Sequence, residues 1–231
     1  MKATAVSCAL ASLLAGMTLA VNASATTFTD RASFEAAVKD MTTLDFEGLI
    51  GTPGFPANYP HGTGYMADSV TLQGVVFSDA YSGSPDFVYI LANDGAGANV
   101  SLNGTTTILL GTDSSRITLP AGLTAFGTDF GVPIGVPGGL PVGQTSTIEA
   151  TFHYRAGAAP ETYALPVTGK SQFFGYIGSE IDYIDLAGAG YYMGFDNLSI
   201  AQAVPEPETY ALMLAGLGLV GFVARQGRRQ N

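Results

Sequence analysis

Thr147-Ile148-Glu149-Ala150-Thr151-Phe152-His153-Tyr154 alternates apolar and polar side chains without a break. Successive side chains of a strand point to opposite faces. Ile148, Ala150, Phe152 and Tyr154 therefore share one face, and Glu149, Thr151 and His153 the other. The same period extends outward in both directions. Residues 162–167, 172–177, 181–186 and 191–200 read as strands on the C-terminal side. Residues 43–47, 70–78, 87–92, 105–110, 116–119 and 124–131 read as strands on the N-terminal side. In 43–47, Leu44 and Phe46 oppose Asp45 and Glu47; in 124–131, Phe126 and Phe130 share a face. Gly, Pro, Asn and Asp punctuate the intervals, which gives about ten strands with regular turn signals. The expected fold is all-β: a two-sheet antiparallel sandwich of jelly-roll type. One short helix is expected over 30–38, with Asp30 as N-cap and Phe34 and Val38 on a shared face.

Composition supports this class. Hydrophobic residues make up 47% and charged residues 12%, with 30 glycines and 12 prolines. That mix suits short strands joined by many turns. No repeat and no linker divides residues 26–203, so they read as one domain. Residues 26–204 hold 17 acidic and 5 basic side chains, within a chain of net charge -10. A nucleic-acid partner is excluded, because phosphate neutralisation needs clustered Lys and Arg. The single cysteine is Cys8. Cys8 lies within the N-terminal apolar run, so the domain has no disulfide, thiolate metal site or cysteine nucleophile.

Both ends read as addresses. Lys2 precedes an apolar run over 3–21, which ends at Ala23-Ser24-Ala25. This is the order of a secretory signal peptide, 1–25, with Ala23 and Ala25 at the cleavage site and Thr26 as the new terminus. The alternative is a retained anchor. At the other end, Pro205-Glu206-Pro207 is followed by an apolar run over 210–224 and by Arg225, Arg228 and Arg229. Fifteen apolar residues are short for a membrane helix, which needs about 20, but thinning and flanking residues tolerate 17. The arginines stop the span and place the tail in the cytoplasm with the main domain outside. Two prolines keep the segment before the span extended, which suits a protease site.

Those three ordered elements over 204–231 resemble the PEP-CTERM sorting signal. The resemblance implies an exported protein of a Gram-negative bacterium, held transiently in the inner membrane. Its implied partners are signal peptidase and an exosortase-type membrane protease acting near Pro205-Glu206-Pro207. Its implied destination is the cell surface or extracellular matrix, among extracellular polysaccharide and biofilm. The uncut alternative is an ordinary C-terminal anchor. Within the domain, Ile117-Thr118-Leu119-Pro120, residues 125–131, Phe173-Phe174-Gly175-Tyr176 and residues 194–200 resemble globular domains joined to such tails. Those domains look like carbohydrate-binding jelly rolls, a likeness that bears on fold more than on activity.

Catalytic motifs are scarce: no G-x-S-x-G elbow, H-E-x-x-H or phosphate-loop lysine occurs. Of the two histidines, His153 falls on an outer strand face and His61 in a Gly-Pro-rich loop with Tyr59 and Tyr65. Asp45, Glu47, Glu149, Glu180 and Asp182 are candidate glycosidase carboxylates, but none has a distinctive neighbourhood. No catalytic residue is assigned. Strict alternation puts Asp196 on the face of Leu198 and Ile200, where an inward carboxylate needs a partner. First and last strands of a jelly roll lie close, so Glu47 is expected to approach Asp196 and share a calcium ion with backbone carbonyls. The competing reading is a carboxylate bonded to backbone amides at a strand bulge. No other cofactor is expected. The sequence points to a structural or polysaccharide-binding module, the alternative being an exported glycan-active hydrolase or lyase.

Overall fold

In the computed structural model, residues 25–57, 64–80, 88–91, 107–110, 114–132, 139–167, 171–187, 190–203, 214–218, 220 and 225 are described. In chain order the strands are β1 (Thr26–Phe28), β2 (Val38–Leu44), β3 (Gly64–Ala67), β4 (Ser69–Leu72), β5 (Val75–Asp79), β6 (Val88–Leu91) and β7 (Thr107–Leu110). Then follow β8 (Ser114–Thr118), β9 (Ala125–Gly131), β10 (Ser146–Tyr154), β11 (Glu161–Val167), β12 (Gln172–Ile177), β13 (Ile181–Ala187) and β14 (Met193–Ala203). Helix α1 (Arg31–Ala36) lies between β1 and β2. The expected helix is present, and the Asp30 carboxylate caps it by accepting from the Ser33 amide at 2.8 Å.

Among the described residues the strands pair antiparallel and form two sheets. One runs β11-β10-β13-β8-β5-β4. The other runs β1-β12-β9-β14-β7-β6-β3, with β2 also on β14. The inward alternation of β10 holds throughout: Ile148, Ala150, Phe152 and Tyr154 are buried. They meet the buried Phe126, Phe130, Phe174 and Tyr176 in a continuous core. Phe152 and Tyr176 stack at 4.5 Å between centroids, and Phe46 meets Phe77 edge-on at 6.0 Å. Such offset and edge contacts add about 0.5–1.5 kcal/mol beyond burial.

Besides the strand expected at 43–47, which runs instead over Val38–Leu44, three features depart from the sequence expectation. The run 70–78 is a hairpin, β4–β5, because Gln73 and Gly74 both take positive φ (48° and 83°). Positive φ at both central residues matches a two-residue turn that follows the twist of its strands. The short strands β1 and β3 were not expected; three and four residues give too little alternation to read.

The third departure is in β14. Asp196 opposes Asp129 and Ser199 opposes Gly127, so one extra residue lies between them. Asn197, at φ 48°, occupies this bulge. Phe195 points inward opposite Phe130, so Asp196 shares the outer face of Asp129. The expected inward placement beside Leu198 and Ile200 is thereby reversed, because a bulge breaks strict alternation. The bulge marks a change of neighbour: Met193–Phe195 pair with β7, and Leu198 onward with β2.

The outer face at this point carries a small second core. Phe34 of α1 lies over the facing pair Gly127 and Gly175, with Ala125, Ala201, Phe28, Val38, Phe173 and Ile177 around it. A Cβ at either glycine would sit 2.8 Å from the Phe34 ring. Arg31 then ties helix to sheet. It bonds Ser199 Oγ at 3.1 Å and the Asn197 carbonyl at 3.0 Å, and pairs with Asp129 at 3.2 Å.

Residues 214–218, 220 and 225 are helical. No helix among the described residues is long and apolar enough to cross a membrane. Ala23, Pro205, Glu206, Pro207, Arg228, Arg229 and His61 lie outside the described residues, as does the expected signal helix.

Candidate functional site

The outer face of the six-stranded sheet carries a polar row. Its order is set by register: Thr162 on β11, Thr151 on β10, Asp185 on β13, Arg116 on β8, Ser78 on β5 and Ser69 on β4. Six strands at about 4.8 Å spacing make it roughly 24 Å long. Thr151, Asp185 and Arg116 each lie between buried neighbours of their own strands, so alternation turns the middle of the row to solvent. Thr151 and Thr162 hydroxyls bond at 2.9 Å. Arg116 grips Asp185 with two parallel bonds, Nε at 2.7 Å and Nη2 at 3.0 Å. A second rank runs beside it: His153, Tyr183, Thr118, Val76 and Thr71.

Tyr183 locks the centre of this face. Its ring stacks on His153 at 4.2 Å, and the Arg116 guanidinium sits 4.0 Å from its centroid. Two planar groups cannot occupy the same side of a ring at such distances, so they flank it. His153 Nε2 also reaches Asp185 at 3.4 Å. Four planar polar side chains are thus mutually fixed. The Arg116–Asp185 pair is about one-third exposed, so its worth lies in geometry more than stability. Guanidinium, imidazole, hydroxyl and carboxylate groups suit ligands rich in hydroxyls.

At the β11 end of the sheet a cleft of about 570 Å³ opens toward β12. Phe130, Tyr163, Leu165, Phe173 and Phe174 give it apolar walls; Thr27, Thr29, Ser171 and Gln172 give it polar atoms. The Gln172 amide donates to the Pro166 carbonyl at 2.9 Å, bridging the two strands. The Tyr163 hydroxyl donates to Glu161 Oε2. Burial, then that hydrogen bond to a carboxylate, pushes the Tyr163 hydroxyl well above the ordinary tyrosine range. Deeper in, Tyr176 donates to Tyr154 at 2.9 Å, and burial raises both.

The carboxylates singled out from sequence scatter. Glu180 and Asp182 both serve Arg155, at 3.4 and 2.9 Å, and Glu180 also accepts from the Gly122 amide. Asp45 accepts from the Glu47 amide, Glu47 is exposed, and Glu149 stands exposed on β10. The expected closeness of an early strand to the last one is present as β2 on β14, with Leu44 opposite Leu198. Asp196 is buried, and its Oδ1 accepts from the Asn197 amide at 2.7 Å. Among the described residues no group of three or more His, Cys, Asp or Glu is placed to hold a metal ion. The polar row escaped sequence reading because its members come from six strands, and only their register aligns them.

A protein-family profile for the PEP-CTERM protein-sorting motif matches residues 203–229. Among solved structures, the family 11 carbohydrate-binding module of cellulosomal cellulase Lic26A-Cel5E of Clostridium thermocellum is similar at 13% identity, with a TM-score of 0.27. The similarity covers 72% of this chain and 97% of that one. No curated protein matches the chain. The chain is thus a β-sandwich carrying the PEP-CTERM protein-sorting motif at 203–229, and this motif marks it as an exported protein sorted by an exosortase.

Proposed function

We propose that the sandwich is a cell-surface or matrix module that contacts extracellular polysaccharide through the outer face of its six-stranded sheet. The observation that carries the reading is the polar row with the clamped His153–Tyr183–Arg116 stack at its centre. A long, straight, rigid row fits an extended polymer better than a small metabolite, and rigid donors lose little entropy on binding. Residues 26–204 hold 17 acidic against 5 basic side chains, which disfavours anionic polymers and leaves neutral glycans as the partner class. The signal peptide 1–25 is removed after Ala25. The tail then holds the protein in the inner membrane until an exosortase acts near Pro205-Glu206-Pro207. No catalytic role is assigned: Asp185 is occupied by Arg116, and Glu180 and Asp182 by Arg155.

The test is retention of the full-length protein on the producing organism's own extracellular polysaccharide, with polymer length followed in parallel. Retention without shortening is expected, weakened at least tenfold by Tyr183→Ala. Shortening of the polymer would turn the reading to a hydrolase or lyase. Absence of retention would reject the polysaccharide contact and leave a surface protein sorted by its tail.

A further inference from the structure

The cleft beside β11 has a chemistry distinct from the row. Among the described residues none that lines it bears a charge, in a domain where acidic side chains abound. Its walls are aromatic and aliphatic, and its polar atoms are hydroxyls and one amide. A volume of about 570 Å³ falls within the range of small-ligand sites, about 300–1,000 Å³. Such a surface rejects ions, which would be desolvated without a counter-charge. A metal ion would also find no ligand set there. A purely apolar ligand would displace water from the threonine and serine hydroxyls and the Gln172 amide oxygen without replacing its hydrogen bonds. The matching ligand has an apolar face and a polar edge but no charge, which describes a sugar ring. Aromatic side chains cover its C–H face, while Gln172, Ser171 and Thr27 meet its hydroxyls.

Position adds to chemistry. β11 is the edge strand of its sheet, so the cleft lies where the row ends at Thr162. A chain lying along the row reaches the cleft by turning over the edge at Ala164 and Pro166, both lining residues. β1 closes the far side with Thr27, and Thr29 follows directly. Gln172 spans the cleft's two strands and Tyr163 is fixed by Glu161, so the walls are preorganised.

We propose that the cleft between β11 and β12 is a second, separate binding site, for a short neutral sugar segment such as a chain end or side branch. The inference rests on the polysaccharide reading for its ligand class, but not for its location. The test titrates full-length protein in detergent with neutral oligosaccharides, obtained by partial acid hydrolysis of the producing organism's polysaccharide, by calorimetry. The acidic oligosaccharides of the same digest are the comparison. Neutral fragments are expected to bind and acidic ones to bind at least tenfold more weakly. Ser171→Trp, which fills the cleft without removing a core side chain, should weaken neutral binding at least tenfold. Gln172→Ala should weaken it severalfold, while Thr42→Ala on distant β2 leaves it unchanged. Unaltered melting of Ser171→Trp and Gln172→Ala shows that folding is intact. Equal binding by wild type and Ser171→Trp overturns the cleft site, as does fragment binding lost in Tyr183→Ala but kept in Ser171→Trp. Polymer retention without any fragment binding also overturns the cleft and leaves the row. Failure of both retention and fragment binding rejects the polysaccharide reading itself.

Discussion

At the scale of single residues, Gly127 and Gly175 matter for the side chains they lack. They face each other across β9 and β12, and the Phe34 ring occupies the space their Cβ atoms would take. Gly127→Ala is expected to destabilise by about 1–3 kcal/mol, the usual range for overpacking. Phe34→Ala, which empties the same site, should cost about 3–5 kcal/mol. Urea unfolding of both variants checks this, and near-neutral values for both would show that α1 does not hold the outer face. Phe34 was readable as a helix residue facing inward. Its seat was not, because no local pattern tells a glycine that accepts a ring from one that makes a turn. The Tyr154–Tyr176 pair gives a pH prediction. Burial, the largest cause, raises both hydroxyls, so the folded state holds their protons more tightly than the unfolded chain. Stability from this pair is complete below the unfolded tyrosine value of about 10 and is lost as pH rises toward the folded values. Denaturation midpoints between pH 9 and 12 should therefore fall, and less so in Tyr154→Phe. Asp196 was read from sequence as an inward carboxylate, yet its oxygen is satisfied by the next amide on the outer face. We expect equal melting in calcium and in chelator. A calcium-dependent rise abolished by Asp196→Ala would instead support an ion shared with Glu47.

At the scale of elements, legibility followed length and regularity. β10 has nine residues and an unbroken alternation, and its faces are as read. The strands 162–167, 172–177 and 181–186 fall within a residue of β11, β12 and β13. Where a backbone residue takes positive φ, the reading slipped. Gln73 and Gly74 divide one expected strand into two, and Asn197 inverts the expected face of Asp196. Gln73-Gly74 is a weaker hairpin signal than Asn-Gly, so the turn hid inside an apolar run. Gly74→Ala tests that turn. It forces a side chain into φ 83° and brings a Cβ to 3.1 Å from Pro120 Cγ. A loss of about 1–3 kcal/mol is expected, together with faster hydrogen exchange in β4 and β5. An unchanged midpoint would mean that the hairpin is not held by its turn.

At the scale of the whole molecule, the C-terminal sorting motif was legible, and the polar row was not. The tail is an ordered string of local elements, so one sequence displays it completely. The polar row exists only after six strands are registered, and its members are separated by up to 116 positions along the chain. Screening offers a check on the ligand class. Contact with a neutral polymer should change little between 50 and 300 mM salt, whereas an ionic polymer would be released across that range. Release by salt would contradict the neutral-glycan assignment.

The strand at the centre of the larger sheet is also the last of the described strands to be synthesised. β14 is flanked by β9 on one edge and by β7 and β2 on the other, and β2 lies some 150 residues upstream. Contacts of such long sequence separation form slowly, because a large loop must close before they are rewarded. Nearly the entire domain must therefore leave the export channel before its larger sheet can assemble. Folding of that sheet is thus timed to the end of the domain's export. The chain stays threadable for as long as export needs it to be. A version ending before Met193 should remain protease-sensitive, however much of the smaller sheet it contains.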